Sequence, residues 1–238
     1  MLGTIINTGA IVAGSLLGML IGRRFSSKAR DTIIAGLGLF TLGYGLMNFL
    51  ETTNPLVPLG GLLLGALLGE WIKIEEGLAN LGRFLKKLFI TDKTPQTHQA
   101  HFVDGFVTSS LVFIIGPMAI LGSVQDGMIG TIELLAIKSI LDGFASIAFA
   151  SSLGIGVMFS ALSVLIYQGS ITLLSSTFSK LFSDLMINEM TAVGGLILMA
   201  IAISSLLKIK KIRTGNYLPA LLITPLIVLM FEWFFGGI

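Results

Sequence analysis

The chain has 238 residues, of which 54% are hydrophobic and only 12% charged, and its mean hydropathy is +0.93. An ordinary soluble domain carries about 25% charged residues, so this composition leaves almost nothing for a soluble domain and describes an all-α polytopic membrane protein. With no cysteine, disulfide and thiolate chemistry are excluded, and a net charge of +2 informs only through its distribution.

A bilayer crossing needs about 20 mostly apolar residues. Eight stretches qualify, at 2–22, 32–50, 56–72, 102–121, 132–150, 153–175, 187–206 and 216–235. The first follows Met1 with no basic residue before it and Arg23, Arg24 after it, the reverse of a cleaved secretory signal, so it reads as a retained helix. Gly14, Gly18 and Gly22 in the first stretch and Gly61, Gly65 and Gly69 in the third recur every four residues, a pattern that lets helix backbones approach in lipid, within one protomer or across a homodimer.

Basic residues follow the first stretch (Arg23, Arg24, Lys28, Arg30), the third (Lys73, Arg83, Lys86, Lys87, Lys93) and the seventh (Lys208, Lys210, Lys211, Arg213). Between stretches two and three, and four and five, there is no Lys or Arg, and 176–186 holds only Lys180. The positive-inside bias places the three clusters in the cytoplasm and both termini outside. Each cluster abuts a spanning stretch, so no nucleic-acid partner is expected. Residues 74–93 place Ile74, Leu78, Leu81, Leu85, Leu88 and Phe89 at helical spacing beside Lys86 and Lys87, predicting an amphipathic helix on the cytoplasmic surface. The polar run TPQTHQAH, 94–101, separates three crossings plus this helix (1–93) from five more (102–238), in one membrane domain overall.

The fourth and fifth stretches share a motif: DGFVTSSLVFIIG at 104–116 and DGFASIAFASSLG at 142–154. Their predicted directions are opposite, the mark of an inverted-topology repeat. Two echoes agree with it. Pro58 with Glu70-Trp71 in the third stretch matches Pro219 with Glu232-Trp233 in the eighth, and AGLGLF at 35–40 resembles VGGLIL at 193–198. Stretches one, two and three would then match six, seven and eight around a central antiparallel pair.

Charges near the bilayer centre are expensive and usually face the bundle interior. Asp142 lies deepest, with Lys138 four residues earlier on the same helix face. Two readings compete: a structural ion pair, or a carboxylate that binds a cation or a proton during transport. Asp104 occupies the matching place in the repeat, and Thr108, Ser109 and Ser146 add hydroxyls, which with carboxylates are hard ligands suited to small cations or equally can bridge helices. Gln168 falls mid-stretch, and Glu189 opens the seventh stretch as a second-rank site residue or an ordinary helix-start acid. Residues 116–127, GPMAILGSVQDG, are a candidate broken helix end, re-entrant turn or plain extracellular turn, with Gln125 and Asp126 at the outer mouth. His98, His101 and Asp104 have a spacing that could present a metal from one helix face, but His98 lies in the linker. No HExxH, Walker glycine loop or GxSxG occurs, so neither an enzyme nor a cofactor is expected.

The segments GPMAILGSVQDG, KSILDGFASIAFASSLGIGVMFSA, YQGSITLL and NEMTAVGGLIL resemble the bacterial domain-of-unknown-function 554 family of multi-pass membrane proteins, and the similarity runs from GTIINTGAIVAGSLLG to YLPALL. The resemblance implies a bacterial plasma-membrane location and a tentative transport role without a defined substrate. The expectation is therefore an ion- or proton-coupled carrier or channel for a small ion or metabolite, with Asp104 and Asp142 as binding groups, Thr108, Ser109 and Ser146 as oxygen ligands, and Lys138 as partner or gate. A non-transporting membrane scaffold is the alternative, with an intramembrane enzyme behind it.

Overall fold

The computed structural model describes residues 1–22, 26–89, 101–115 and 117–235, and these are helical with no strand among them. The order is α1 (Leu2–Gly22), α2 (Ser27–Phe49), α3 (Leu56–Ile72), α4 (Ile74–Phe89), α5 (Phe102–Ile114), α6 (Pro117–Met128), α7 (Glu133–Leu153), α8 (Gly156–Leu173), α9 (Ser175–Leu181), α10 (Asp184–Ile201) and α11 (Ala220–Phe235). A π-helical turn, Ala202–Leu206, extends α10, and a 3₁₀ turn, Thr214–Tyr217, precedes α11. Six described helices are long and apolar enough to cross a membrane, and eight spans result if the bent pairs α3 with α4 and α5 with α6 each count as one.

The breaks have local causes. Lys73, with φ +60°, stops α3 in the left-handed region, so α4 starts in a new direction. Between α5 and α6 the axis turns by 63°. Of residues 116–127, read from sequence as a broken helix end, a re-entrant turn or an extracellular turn, 117–127 lie within a helix of their own, α6. The short α9 falls in what the sequence left as a connection. Most of the linker at 94–101, with His98, and the basic residues Arg23, Arg24 and Lys93 lie outside the described residues.

The chain forms two compact units, each assembled from separated stretches: Met1–Leu37, Leu78–Ile114 and Met118–Phe178 in the first, and Gly38–Gly77, Ile115–Pro117 and Ser179–Ile238 in the second. The unit boundary therefore does not follow the linear division at 94–101.

In the first unit, α1 and α7 lie parallel along a ladder of small residues. A Cβ placed on Gly14, Gly18 or Gly22 would strike Gly143 O, Ile147 O or Ser151 O, each pair four residues further along both helices. Backbones can approach this closely only where one side has no side chain, and in lipid such contact supplies dispersion that the solvent cannot. The helices α5 and α8 also run parallel: a Cβ on Gly156 would strike Phe102 O, and eight residues further along α5 Ser110 bonds Ser163 of α8 at 2.8 Å. Below them Phe102 and Phe106 pack with Leu85 of α4, so the apolar stripe of the amphipathic helix is partly covered by protein, while Leu81, Phe84 and Leu88 remain exposed.

In the second unit, α3 and α11 are antiparallel. Gly61, Gly65 and Gly69 face Thr224, Ala220 and Asn216, and a Cβ on Gly65 would come within 2.5 Å of Ala220 Cα. The same logic brings α2 to α10, where a Cβ on Gly45 would lie 2.6 Å from Gly195 O.

Substituting these glycines separates the helices. Gly18→Val should lower the thermal unfolding midpoint in detergent sharply, since overpacking a tight contact costs about 1–3 kcal/mol or more. Gly36→Ala, where nothing lies within 4 Å of the added carbon, should leave the midpoint unchanged or slightly raised; equal losses in both variants would mean the ladder is not what holds α1 to α7.

Candidate functional site

The first unit carries a buried charged cluster halfway along α7. Lys138 and Asp142, one turn apart, form an ion pair, with only 6% and 8% of each residue exposed. The Lys138 ammonium also donates to Phe113 O of α5 at 2.8 Å. The sequence explains why that carbonyl is free. Its helical partner would be the N–H of the residue four places on, which is Pro117 and has none.

Asn7 of α1 completes the cluster. Its Nδ2 donates to Asp142 Oδ2 at 3.0 Å and to Gln168 Oε1 of α8 at 2.7 Å, and both amide residues are fully buried. The chemistry fixes these orientations, because an ionised carboxylate only accepts, so Asn7 must present its nitrogen and Gln168 its oxygen. What remains is one acceptor, Asn7 Oδ1, and one NH₂ donor, Gln168 Nε2, each without a hydrogen-bond partner among the described residues. Ser146 Oγ, one turn beyond Asp142 and packed near Gly14 of α1, is likewise buried and unpartnered.

A polar column leads from the cluster to one end of the unit. One turn from Asn7 and Gln168, Thr4 Oγ1 and Thr172 Oγ1 hydrogen-bond at 3.3 Å. One turn further lies a cavity of about 490 Å³ lined by Met1, Asp126, Thr172, Ser175 and Ser176 among others. Asp126, at the end of α6, accepts from Gly3 N at 3.1 Å and pairs with the Met1 amino group at 2.9 Å.

Of the residues singled out from sequence, Lys138, Asp142 and Gln168 come together directly, and Ser146 lies on the same face of α7 one turn on. Asp104, expected beside Asp142 as a binding group, is not part of this cluster. Asp104 sits exposed in the first turn of α5 and makes no hydrogen bond or ion pair among the described residues. The shared motif aligns the two aspartates in sequence, but α5 begins at Phe102 whereas α7 begins nine residues before Asp142, so one lies in the first turn of its helix and the other near the middle. Thr108 and Ser109 are buried on α5 without bonding to Asp142, and Ser109 Oγ has no partner among the described residues. Ser110, beside them, bonds Ser163 of α8 at 2.8 Å. No group of three or more potential metal-ligating residues occurs among the described residues.

Glu189 belongs to the second unit. Fully buried at the start of α10, it accepts from Thr52 Oγ1 at 2.6 Å and from Thr53 N and Thr53 Oγ1, both at 2.9 Å. It thereby fastens the 51–55 connection to α10. Sequence reasoning missed Asn7, Thr4 and Thr172. The available signal was the polar pair Asn7-Thr8 inside an otherwise apolar first stretch, with Thr4 one turn before it.

Comparison with known proteins adds a family. The family model described as "Protein of unknown function (DUF554)" matches residues 2–229. The chain is 32% identical over 238 residues to "Uncharacterized membrane protein YdfK" of Bacillus subtilis, covering 98% of both chains. It is 31% identical over 234 residues to "Uncharacterized protein YqgA" of Escherichia coli, covering 98% of this chain and 99% of the other. No solved structure matches the chain.

Removing one member of a buried ion pair leaves the other uncompensated, at a cost of about 3–5 kcal/mol, whereas replacing both by apolar groups is often near neutral. Lys138→Met and Asp142→Leu should each lower the unfolding midpoint strongly, and the double variant should lie closer to wild type than either. A double variant as unstable as the sum of the singles would show that the two charges are not held mainly by each other.

Proposed function

The chain belongs to the DUF554 family of membrane proteins, and from that footing we propose that it is a transport protein, an ion- or proton-coupled carrier or channel for a small ion or metabolite, working at the Lys138, Asp142, Asn7 and Gln168 cluster. The observation that carries this reading is a charged pair at mid-helix whose amide neighbours keep an acceptor and a donor unpartnered. In lipid, buried charges and unsatisfied polar groups are costly and mark ion or substrate pathways.

The chemistry narrows the mode of action. Lys138 holds Asp142, so the resting site is neutral overall, and a bare cation gains little there unless the ammonium moves aside. Protonation of Asp142 would remove the attraction that fixes Lys138 and free its ammonium for another partner. Asn7 Oδ1 and Gln168 Nε2 could then accept from and donate to a small solute. Ser146 and Ser109 supply further hydroxyls. Asp104, exposed at the head of α5, would act in such a scheme only as a water-facing entry or exit group.

The cavity beside Asp126 is the proposed mouth, and the Thr4–Thr172 hydrogen bond closes the passage between it and the cluster. With the basic clusters inside by the positive-inside bias, this mouth opens outside the plasma membrane, as do both termini. The inverted repeat belongs to the same reading. Exchanging α1 with α8 and α7 with α5 turns the parallel α1 and α7 pair into the parallel α5 and α8 pair, while α3 with α11 and α2 with α10 pair antiparallel with their own proposed mates. Rocking of such repeats about a central site gives alternating access. A scaffold without transport would instead keep the cluster dry and fixed.

The absence of native cysteine makes the route directly testable. Single variants Thr172→Cys, Gln168→Cys and Asn7→Cys should react with a small charged thiol reagent in the order of their distance from the mouth, and a disulfide between Thr4→Cys and Thr172→Cys should shield Asn7→Cys. Asp142→Asn should abolish substrate-dependent stabilisation or flux in a reconstituted screen of ions, carboxylates and amino acids. Inert cysteines at all three positions, with no compound stabilising wild type, would decide for the scaffold.

A further inference from the structure

A second site lies in the other unit, independent of the transport reading. Beside the last turns of α3, the segment between the π turn and α11 walls a cavity of about 400 Å³ whose lining includes Glu70, Lys210, Lys211, Arg213, Asn216 and Tyr217. The segment is irregular yet held at several points. Ser204 Oγ accepts from Ile212 N at 2.9 Å and donates to Ile212 O at 3.0 Å. Asn216 donates to Glu70 Oε2 at 2.7 Å and accepts from Glu75 N at 2.8 Å, while Gly215 N donates to Glu75 Oε2 at 3.0 Å. Lys208, at φ +53°, supplies the left-handed residue that starts the segment away from the π turn.

This bonding sorts the charges. Arg213 pairs with Glu70 Oε1 at 2.6 Å, and Asn216 takes the other oxygen, so the one carboxylate of the cavity is occupied. Lys210 and Lys211 have no ion pair among the described residues, so the lining carries a net charge of plus two, and the Glu75 carboxylate behind it, which Lys211 and Arg213 attract, offsets only part of that charge. Arg213 bonds through one guanidinium nitrogen and retains other N–H donors. Ala66, Ile212 and Tyr217 complete the lining, and Leu67 and Trp71, next in sequence to the lining residues Ala66 and Glu70, are 70% and 82% accessible.

We propose that this cavity binds the phosphate of an anionic phospholipid headgroup, with Lys210 and Lys211 supplying charge, Arg213 an N–H donor, and Leu67 with Trp71 a wall for the acyl chains. A loose row of lysines attracts anionic lipid only through diffuse charge, whereas a walled basic pocket at the end of a span selects a headgroup. The segment is braced by Ser204, Glu70 and Glu75, so Lys210 and Lys211 extend from ordered backbone and little ordering is lost on binding. The apolar wall argues for a lipid over a free phosphate, which would gain nothing from it.

The test uses the full chain, purified and delipidated, titrated with short-chain phosphatidylglycerol, short-chain phosphatidylcholine and inorganic phosphate while the unfolding midpoint is followed. Wild type should be stabilised by phosphatidylglycerol alone. In Lys210→Gln/Lys211→Gln the apparent affinity should fall roughly thirtyfold, from a contribution of about one basic residue's attraction each. Lys86→Gln/Lys87→Gln, which removes the same charge from α4, should retain it. Equal losses in both double variants would reduce the effect to general attraction by the basic face and overturn the site. A phosphate response as large as that to phosphatidylglycerol would reassign the pocket to a soluble anion, and no response to either would remove it.

Discussion

The close approach of α1 to α7 is the contact on which the first unit depends. Asn7 can reach Asp142 only because the helices that carry them touch backbone to backbone at Gly14, Gly18 and Gly22. In water such contact would be one term beside a large hydrophobic gain. In a bilayer the lipid tails are as apolar as leucine side chains, so close packing and interhelical hydrogen bonds carry the association. The glycine ladder and the Asn7 bonds therefore belong to one device. The ladder brings the helices near, and the amide uses that nearness to satisfy a carboxylate that lipid could not.

The same constraint explains how polar groups are distributed. Lys138 finds an acceptor in a carbonyl that Pro117 leaves free, so the break between α5 and α6 becomes part of the charge balance of α7. Glu189 is treated differently. Two threonine hydroxyls and the backbone N–H groups of Thr53 and Asn54 donate to it, and this complement serves a connection rather than an open site. The contrast between a carboxylate whose donors come from one loop and one that joins three helices through partners with spare bonding capacity is what directs attention to Asp142.

The two units use related means at their ends. One end of the first unit holds a cavity beside Asp126, with Thr4 and Thr172 between it and the cluster. The second unit has a cavity beside a basic segment whose single carboxylate is already bonded. Both are framed by residues that sit where a span ends, the region in which side chains can meet water and headgroups without the cost of the hydrocarbon core.

Much of the fold was legible in the chain because a bilayer imposes length and apolarity on every crossing. The first span was placed at residues 2–22, as α1 lies, and the glycine spacing named the faces along which α1 and α3 pack. Helical spacing also offered Lys138 as one reading of Asp142's partner, since four residues on a helix bring two side chains to one face, and the structure forms that pair. What sequence could not supply was depth and company. Asp104 and Asp142 look equivalent in a repeated motif, yet only the helix boundaries decide that one is at an exposed end and the other at a buried middle. Asn7 carries no motif, and its meeting with Asp142 and Gln168 joins residues more than a hundred positions apart, a relation fixed by helix register and close packing that no local pattern encodes.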